Sequence, residues 1–386
     1  MPLKIAITAL SSISSLGHQP QDVLTNYNTH KTHIKSQTIG NTPELGGFLP
    51  KTAKTVIAHL KNSNEKYKNL DPSVLMAIYC GRELIKQTQW QPNFNVGINI
   101  GSSRGATTLF EKYHEDFLKH KQSSTLASPT TTLGNISSWV ANDLQVAGPN
   151  LSHSITCSTA LHAVLNGVAW LQANMADAFI VGGSEAPLTP FTIAQMKALK
   201  IYAQHPQEYP CRALDFNKTQ NTMVIGEGAG LIALEKGEHK NALGYITGIG
   251  YATEILEHNI SISSNADCFQ KSMKMAIAHL NPNEIDAIVM HAPGTLKGDE
   301  AEFNAIAAVF GEETPQITSN KWKIGHTFGA SGILSVEMAL TMLKTQKFVS
   351  VPFANTKTNN KPLKNILVNA VGFGGNAVSI VVSRKS

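Results

Sequence analysis

The sequence predicts an α/β protein with at least one mixed sheet, and three observations carry that prediction. Short β-branched runs ending in glycine recur along the chain, stretches of helical apolar periodicity separate them, and a helix–strand–glycine-turn pattern occurs twice. The opening run, residues 3–10, reads as a buried strand. So do residues 95–101, 177–182, 229–235, 287–291 and 365–370, whose near-continuous apolar character suits strands covered on both faces. Between them, the segment that starts at Cys157 places Leu161, Val164, Leu165, Val168 and Ala169 at helical spacing. Ala160, Ala163 and Gly167 keep another side of it thin, so that helix can be packed all round. In the second half, Ile333, Val336, Leu340 and Leu343 form a comparable stripe after Gly325-His326. Both helices are expected to begin at a reactive side chain, and each leads to a strand and a glycine turn, Gly182-Gly183 and then Gly372 to Gly375. The pattern is a weak internal duplication, residues 1–240 and 241–386, with a polar seam at 237–243.

At 386 residues the chain suits one large domain or two fused halves, and with 42% hydrophobic and only 15% charged residues much of it must be buried. That burial can be a core or a subunit interface. The net charge of +5 is a mild bias, densest at Lys51, Lys54, Lys61, Lys66 and Lys68. Such a stretch is either a solvated helical face or a docking surface for an acidic protein; no nucleic-acid module accompanies it. Cys80, Cys157, Cys211 and Cys268 show neither a CxxC pair nor metal-ligand spacing, which points to a reduced, intracellular protein. Residues 1–17 read as a strand and turn rather than a signal peptide, and no run approaches a membrane span. A cytoplasmic location is expected.

Three motifs bear the chemistry. Cys157 heads the small-residue run from Ile155 to Ala163, where unpaired N–H groups and the helix dipole favour a thiolate. His291 opens a glycine-containing turn that runs through Thr295 to Asp299, and Lys321 to His326 forms the third. Taken singly, a cysteine is often a small buried hydrophobe, and a histidine ending an apolar strand often a satisfied core residue. Together, a thiol and two histidines on separate turns fit a cysteine acyl-transfer enzyme that must also handle a charged oxygen.

The ordered set resembles the β-ketoacyl-acyl-carrier-protein synthases, decarboxylating condensing enzymes of the thiolase superfamily. The resemblance spans nearly the whole chain: Ile5-Ala6-Ile7-Thr8, Ser128-Pro129, Gly148-Pro149-Asn150, Thr156-Cys157-Ser158, Val181-Gly182-Gly183-Ser184-Glu185, Gly226-Glu227-Gly228-Ala229-Gly230, the two histidine motifs and Gly372-Phe373-Gly374-Gly375. The order Cys, His, His matches the elongating type; the starter-condensing branch has asparagine where His326 stands, and thiolases carry a second cysteine where this chain has Phe373. The resemblance implies a thiolase-like fold, two similar halves giving five layers, α-β-α-β-α. It implies that Cys157 takes an acyl group from a phosphopantetheine thioester and that His291 and His326 stabilise the enolate left by decarboxylation of a malonyl extender. Backbone N–H groups of Cys157 and Phe373 would form the oxyanion hole, each donor on the order of 3 kcal/mol. Lys321 would act electrostatically near His291, Phe373 would gate the thiol, and Thr295 would touch the pantetheine arm. No metal or bound cofactor is implied, since the substrates ride on the 4'-phosphopantetheine of an acyl carrier protein. That acidic partner makes Lys66 and Lys68 the docking candidates. A homodimer, or a heterodimer with a chain-length-factor subunit, is the implied assembly.

Several family features are altered. Ala292-Pro293 replaces Gly-Thr, Asn376-Ala377 replaces Thr-Asn, and the pieces before Gly226 survive only as Arg212-Ala213-Leu214-Asp215 and a changed stretch from Asn217 to Val224. This divergence resembles ketosynthases of pigment pathways of the aryl polyene or flexirubin type. Two rivals stay open: a non-catalytic or chain-length-setting subunit, which predicts a buried, slowly alkylated Cys157, and a malonyl decarboxylase that can dispense with the thiol.

Overall fold

The computed structural model describes residues 4–91, 93–133, 135–255, 262–354, 359 and 361–385. In chain order the strands are β1 (Ile5–Ile13), β2 (Lys35–Ile39), β3 (Thr42–Gly46), β4 (Val96–Gly101), β5 (Asn150–Leu151), β6 (Ala178–Glu185), β7 (Gly228–Lys236), β8 (Gly244–Thr253), β9 (Ala287–Val289), β10 (Gln316–Thr318), β11 (Asn365–Gly372) and β12 (Asn376–Ser383). β2 and β3 form a separate hairpin; the others make a 10-stranded sheet. Its first half runs β1-β7-β6-β4-β5 and its second β8-β12-β11-β9-β10. Within each half the first two pairings are antiparallel and the last two parallel, so the halves share one mixed topology. β1 and β8 join them, antiparallel, from Ile5↔Ile246 to Ile7↔Gly244.

Strand alternation builds the layers. In β6, Phe179 and Val181 face one way and pack with the helices Thr159–Gln172 and Ser331–Thr345; Ile366, Val368 and Ala370 of β11 reach the same cluster from the other half. Ala178 and Ile180 face outward, onto the helices Lys51–Asn62, Pro72–Ile85 and Asn135–Leu144. Leu367 and Val371 of β11 face the helices Asp267–Ala276 and Leu296–Phe310 on the opposite exterior. The result is the five-layered α-β-α-β-α arrangement, with two helices sandwiched between the half-sheets. Among the described residues, no helix is long and apolar enough to cross a membrane.

The details correct several expectations. The opening strand runs to Ile13; Leu3 lies outside the described residues. The strand expected at 287–291 ends at Val289, because the N–H groups of His291 and Ala292 turn away to Glu302. Neither central helix starts at its reactive residue. Cys157 lies in a 3-10 turn, Thr156–Ser158, and another, Phe328–Ala330, separates His326 from the second helix.

Candidate active site

The Cys157 turn is held by its own side chains. Ile155 donates its N–H to Thr159 Oγ1 at 2.9 Å, and the Thr159 hydroxyl donates to the Thr156 carbonyl at 2.6 Å. Thr156 has φ 47°, a left-handed conformation that costs a β-branched residue of order 1–3 kcal/mol and is typical of strained functional turns. Cys157 is buried, and burial pushes its thiol up to about 12; Glu185 adds to the rise, while Lys321 and Arg104 oppose it. Burial thus works against the thiolate that the helix start favours.

The turn after β9 is organised by a carboxylate that the sequence motif did not single out. Glu302, on the helix Leu296–Phe310, accepts the N–H groups of His291 and Ala292, both at 2.9 Å, and the Asn369 amide at 3.1 Å. Asp299, one turn earlier, accepts the Gly294 N–H at 3.0 Å and the buried Lys218 ammonium at 2.9 Å. Thr295 caps this helix, its Oγ1 accepting the Gly298 N–H at 3.2 Å. Ala292 takes φ 23°, so alanine is strained where glycine would be at ease. Ala292→Gly should leave stability within about 1 kcal/mol, strain relief offsetting the lost methyl and added chain entropy. Ala292→Val should cost about 2–4 kcal/mol through overpacking and strain. Urea unfolding of the two variants checks this; a valine variant as stable as the parent would refute it.

His326 is pinned from both sides: its N–H donates to the Val224 carbonyl at 2.6 Å, and its carbonyl accepts the Gly226 N–H at 3.0 Å. Gly325, at φ 76°, allows this close pass, since a Cβ there would lie 2.9 Å from the backbone of Val224 and Ile225. The His326 ring lies 5.0 Å from that of His291, edge-on at 87°, and 5.2 Å from Phe328. Phe328 and Cys157 share one apolar cluster with Ile193, Met196, Tyr202, Met223 and Ile225. Burial and the nearby Lys321 charge lower the His326 imidazole to about 3; burial, then His326 and Lys321, hold His291 well below its usual range. Both are neutral near pH 7, and in each the Nδ1 atom is buried without a partner. Lys321 is no surface residue. It is 1% exposed, donates to Asn320 Oδ1 at 3.0 Å, and is pushed down to about 8 by burial against the opposing pull of Glu302. Phe373 completes the group: it is 39% exposed, and its carbonyl accepts the Thr156 hydroxyl at 3.4 Å, beside the Cys157 turn.

The structure thus sets Phe373 against the Cys157 turn, His326 against both His291 and Phe328, and Lys321 near enough for its charge to act on Cys157 and both histidines, with Thr295 at the start of the helix that carries Glu302. Lys66 and Lys68 lie in a separate exposed turn, where Lys68 pairs with Glu65 at 2.5 Å and Lys66 donates to Asn142 at 3.2 Å. Glu302, Asn369 and Arg104 are additions the sequence did not yield, and Glu185 stood in a motif of the resemblance without a role; for Glu302 the one available signal was the Asp299-x-x-Glu302 spacing, which puts both carboxylates on one helical face.

The profile described as Beta-ketoacyl synthase, N-terminal domain, matches residues 4–240, and that described as Beta-ketoacyl synthase, C-terminal domain, matches residues 243–356. The 3-oxoacyl-[acyl-carrier-protein] synthase 2 of Coxiella burnetii is 24% identical over 99% of this chain and 98% of its own length. The enzyme of the same name from Staphylococcus aureus strain MRSA252 is 25% identical over the same shares of the two chains. Among solved structures, the ishigamide ketosynthase/chain length factor superposes with a TM-score of 0.86 at 17% identity over 100% of both chains. A ketosynthase in complex with its chain length factor from Xenorhabdus doucetiae gives 0.80 at 21% identity, covering 99% of this chain and 98% of that one.

Proposed function

Because the chain belongs to the β-ketoacyl synthase family, matched across both of its domains, we propose that it is a β-ketoacyl-acyl-carrier-protein synthase of Cys-His-His type. In the first half-reaction Cys157 Sγ attacks a carrier-borne thioester; the carrier thiolate leaves and takes up the proton that Cys157 gives up. In the second, a malonyl thioester loses carbon dioxide, and the electron pair of the broken C–C bond becomes an enolate whose oxygen accepts hydrogen bonds from His291 and His326. The enolate carbon attacks the acyl carbonyl, the oxyanion rests on the N–H groups of Cys157 and Phe373, and Cys157 departs as a thiolate that is reprotonated. The observation that carries this reading is the pair of buried, neutral histidine rings 5.0 Å apart. Neutral donors suit an oxygen that becomes negative only in the transition state, and the Lys321 charge favours the same oxygen.

The second reading, a non-catalytic or chain-length-setting subunit, is favoured by one observation, the burial of Cys157 with its thiol raised to about 12. Incubation with acyl-loaded carrier, followed by intact mass, separates the two. An acyl adduct that Cys157→Ala abolishes supports the synthase; a folded protein that takes no acyl group supports the subunit. A further partner, a second copy or a related chain-length subunit, belongs to the same proposal.

The carrier is proposed to dock at Lys66 and Lys68. Because Lys68 already pairs with Glu65, charge reversal at both positions is the stronger probe. Lys66→Glu with Lys68→Glu should raise the KM for a carrier-borne substrate several-fold more than for a small pantetheine thioester, with the gap closing at high salt. Equal KM changes for the two substrates would place docking elsewhere.

A further inference from the structure

One charged side chain beside the nucleophile has no part in the steps above. Arg104 follows β4 on a turn that Glu185 holds in place: its carboxylate accepts the Ser102 hydroxyl at 2.6 Å and the N–H groups of Ser103 at 2.7 Å, Arg104 at 3.0 Å and Gly329 at 2.8 Å. Those four donors tie the Arg104 turn to the Phe328–Ala330 turn next to Cys157. The guanidinium lies 5.9 Å from the Phe328 ring centre, and one terminal nitrogen donates to Gln195 Oε1. Gln195 sits on the helix Pro190–Ala198 that also supplies Ile193 and Met196 to the apolar cluster around Cys157. The Arg104 Nε–H is buried with no partner, and among the described residues no carboxylate lies within ion-pair distance of the guanidinium.

A guanidinium has five N–H donors, and leaving even the one at Nε buried and unmet beside an apolar cluster is costly. A pocket made only to store a saturated chain would be better served by an aliphatic residue at this position. Resting on the synthase reading above, we infer that the acyl group loaded onto Cys157 carries an oxygen acceptor, a ketone carbonyl or a carboxylate, which the Arg104 guanidinium binds. The substrate is then an oxygenated acyl chain and not a saturated fatty chain. Arg104 is its specificity residue, and Phe328, whose ring centre lies 5.9 Å from the guanidinium, joins it to the apolar cluster that holds Cys157.

The test compares acylation rates of Cys157, by intact mass, from hexanoyl, 5-oxohexanoyl and glutaryl pantetheine thioesters. At least one oxygenated chain should react roughly tenfold or more faster than hexanoyl, as befits a charge-assisted hydrogen bond. A lead for glutaryl identifies a carboxylate, and a lead for 5-oxohexanoyl a ketone. Arg104→Met should invert the preference toward hexanoyl. Gln195→Met, which frees a second nitrogen of the fork, should sharpen the preference and serves if the first variant fails to fold. Equal rates for all three thioesters in the parent protein, with Gln195→Met changing none, would overturn the inference while leaving the synthase intact. Absence of any adduct would instead end the synthase reading, and this inference with it.

Discussion

Gly372→Ala is expected to cut acyl transfer to Cys157 by on the order of 10²–10³. Gly372 ends β11 where the strand passes against the nucleophile turn. A Cβ at this position would lie 1.8 Å from Thr156 Oγ1, 2.8 Å from the Ile155 carbonyl oxygen and 3.0 Å from the Cys157 nitrogen. The hydroxyl can rotate away from a methyl, but the two backbone atoms cannot, so the strand and the turn must part. The turn is already strained at Thr156, φ 47°, and parting them displaces both proposed oxyanion donors, the N–H groups of Cys157 and Phe373, relative to the thiol. The measurement is the rate of adduct formation by intact mass, with thermal unfolding alongside. Thr156→Gly removes the nearest clash and the φ penalty together, so the double variant should recover part of the rate, a coupling that a double-mutant cycle reads directly. Parental acylation in Gly372→Ala would show that this contact does not position the nucleophile.

The parts of this site that were legible in the sequence sit in short local motifs: Cys157 heads a run of small residues, and His291 and His326 stand on turns with glycine close by. The two histidines could be found that way because tight backbone passes demand glycine locally, as at Gly325. The supporting shell left no such mark. Glu302 and Asn369 meet across 67 residues of chain, and nothing near Asn369 in a run as apolar as β11 marks it as a ligand for a carboxylate. Arg104 lies in a Ser-Ser-Arg-Gly turn whose importance comes from Phe328 and Gln195, both remote in sequence. The burial of Cys157 was not legible for a related reason. The helix start is a local feature, whereas the burial that raises the thiol is contributed by Phe328, Met223 and other residues far along the chain. For the fold, the α/β class followed from doubly buried runs such as β6. β8 escaped because glycines at 244, 248 and 250 interrupt its apolar pattern, and β5 and β10 because strands of two and three residues carry too little pattern to read.

Removing the Glu302 carboxylate should separate the two half-reactions. Glu302 is 1% exposed and serves three donors, the N–H groups of His291 and Ala292 and the Asn369 amide. Asn369 in turn accepts the Ser379 hydroxyl at 2.8 Å, and Ser379 meets Ser272 at 2.8 Å, so the carboxylate anchors the His291 turn to β11, β12 and the outer helix. Glu302→Leu orphans three buried donors and should cost about 3–5 kcal/mol. Glu302→Gln is the informative change. It keeps the volume but turns one acceptor into a donor facing a donor, so the His291 turn shifts while the Cys157 turn, held by Thr159, does not. Decarboxylation of a malonyl thioester should then fall on the order of 10²-fold, the scale of a misplacement of about 1 Å, with Cys157 acylation changed far less. The pH profile provides an independent sign. Burial pushes Lys321 down to about 8, and the Glu302 charge is the largest influence holding it up. Without that charge the lysine loses its proton at lower pH, so the alkaline limb of decarboxylation moves to lower pH in Glu302→Gln. Equal losses in both half-reactions, with the alkaline limb unmoved, would reduce Glu302 to a prop for the fold.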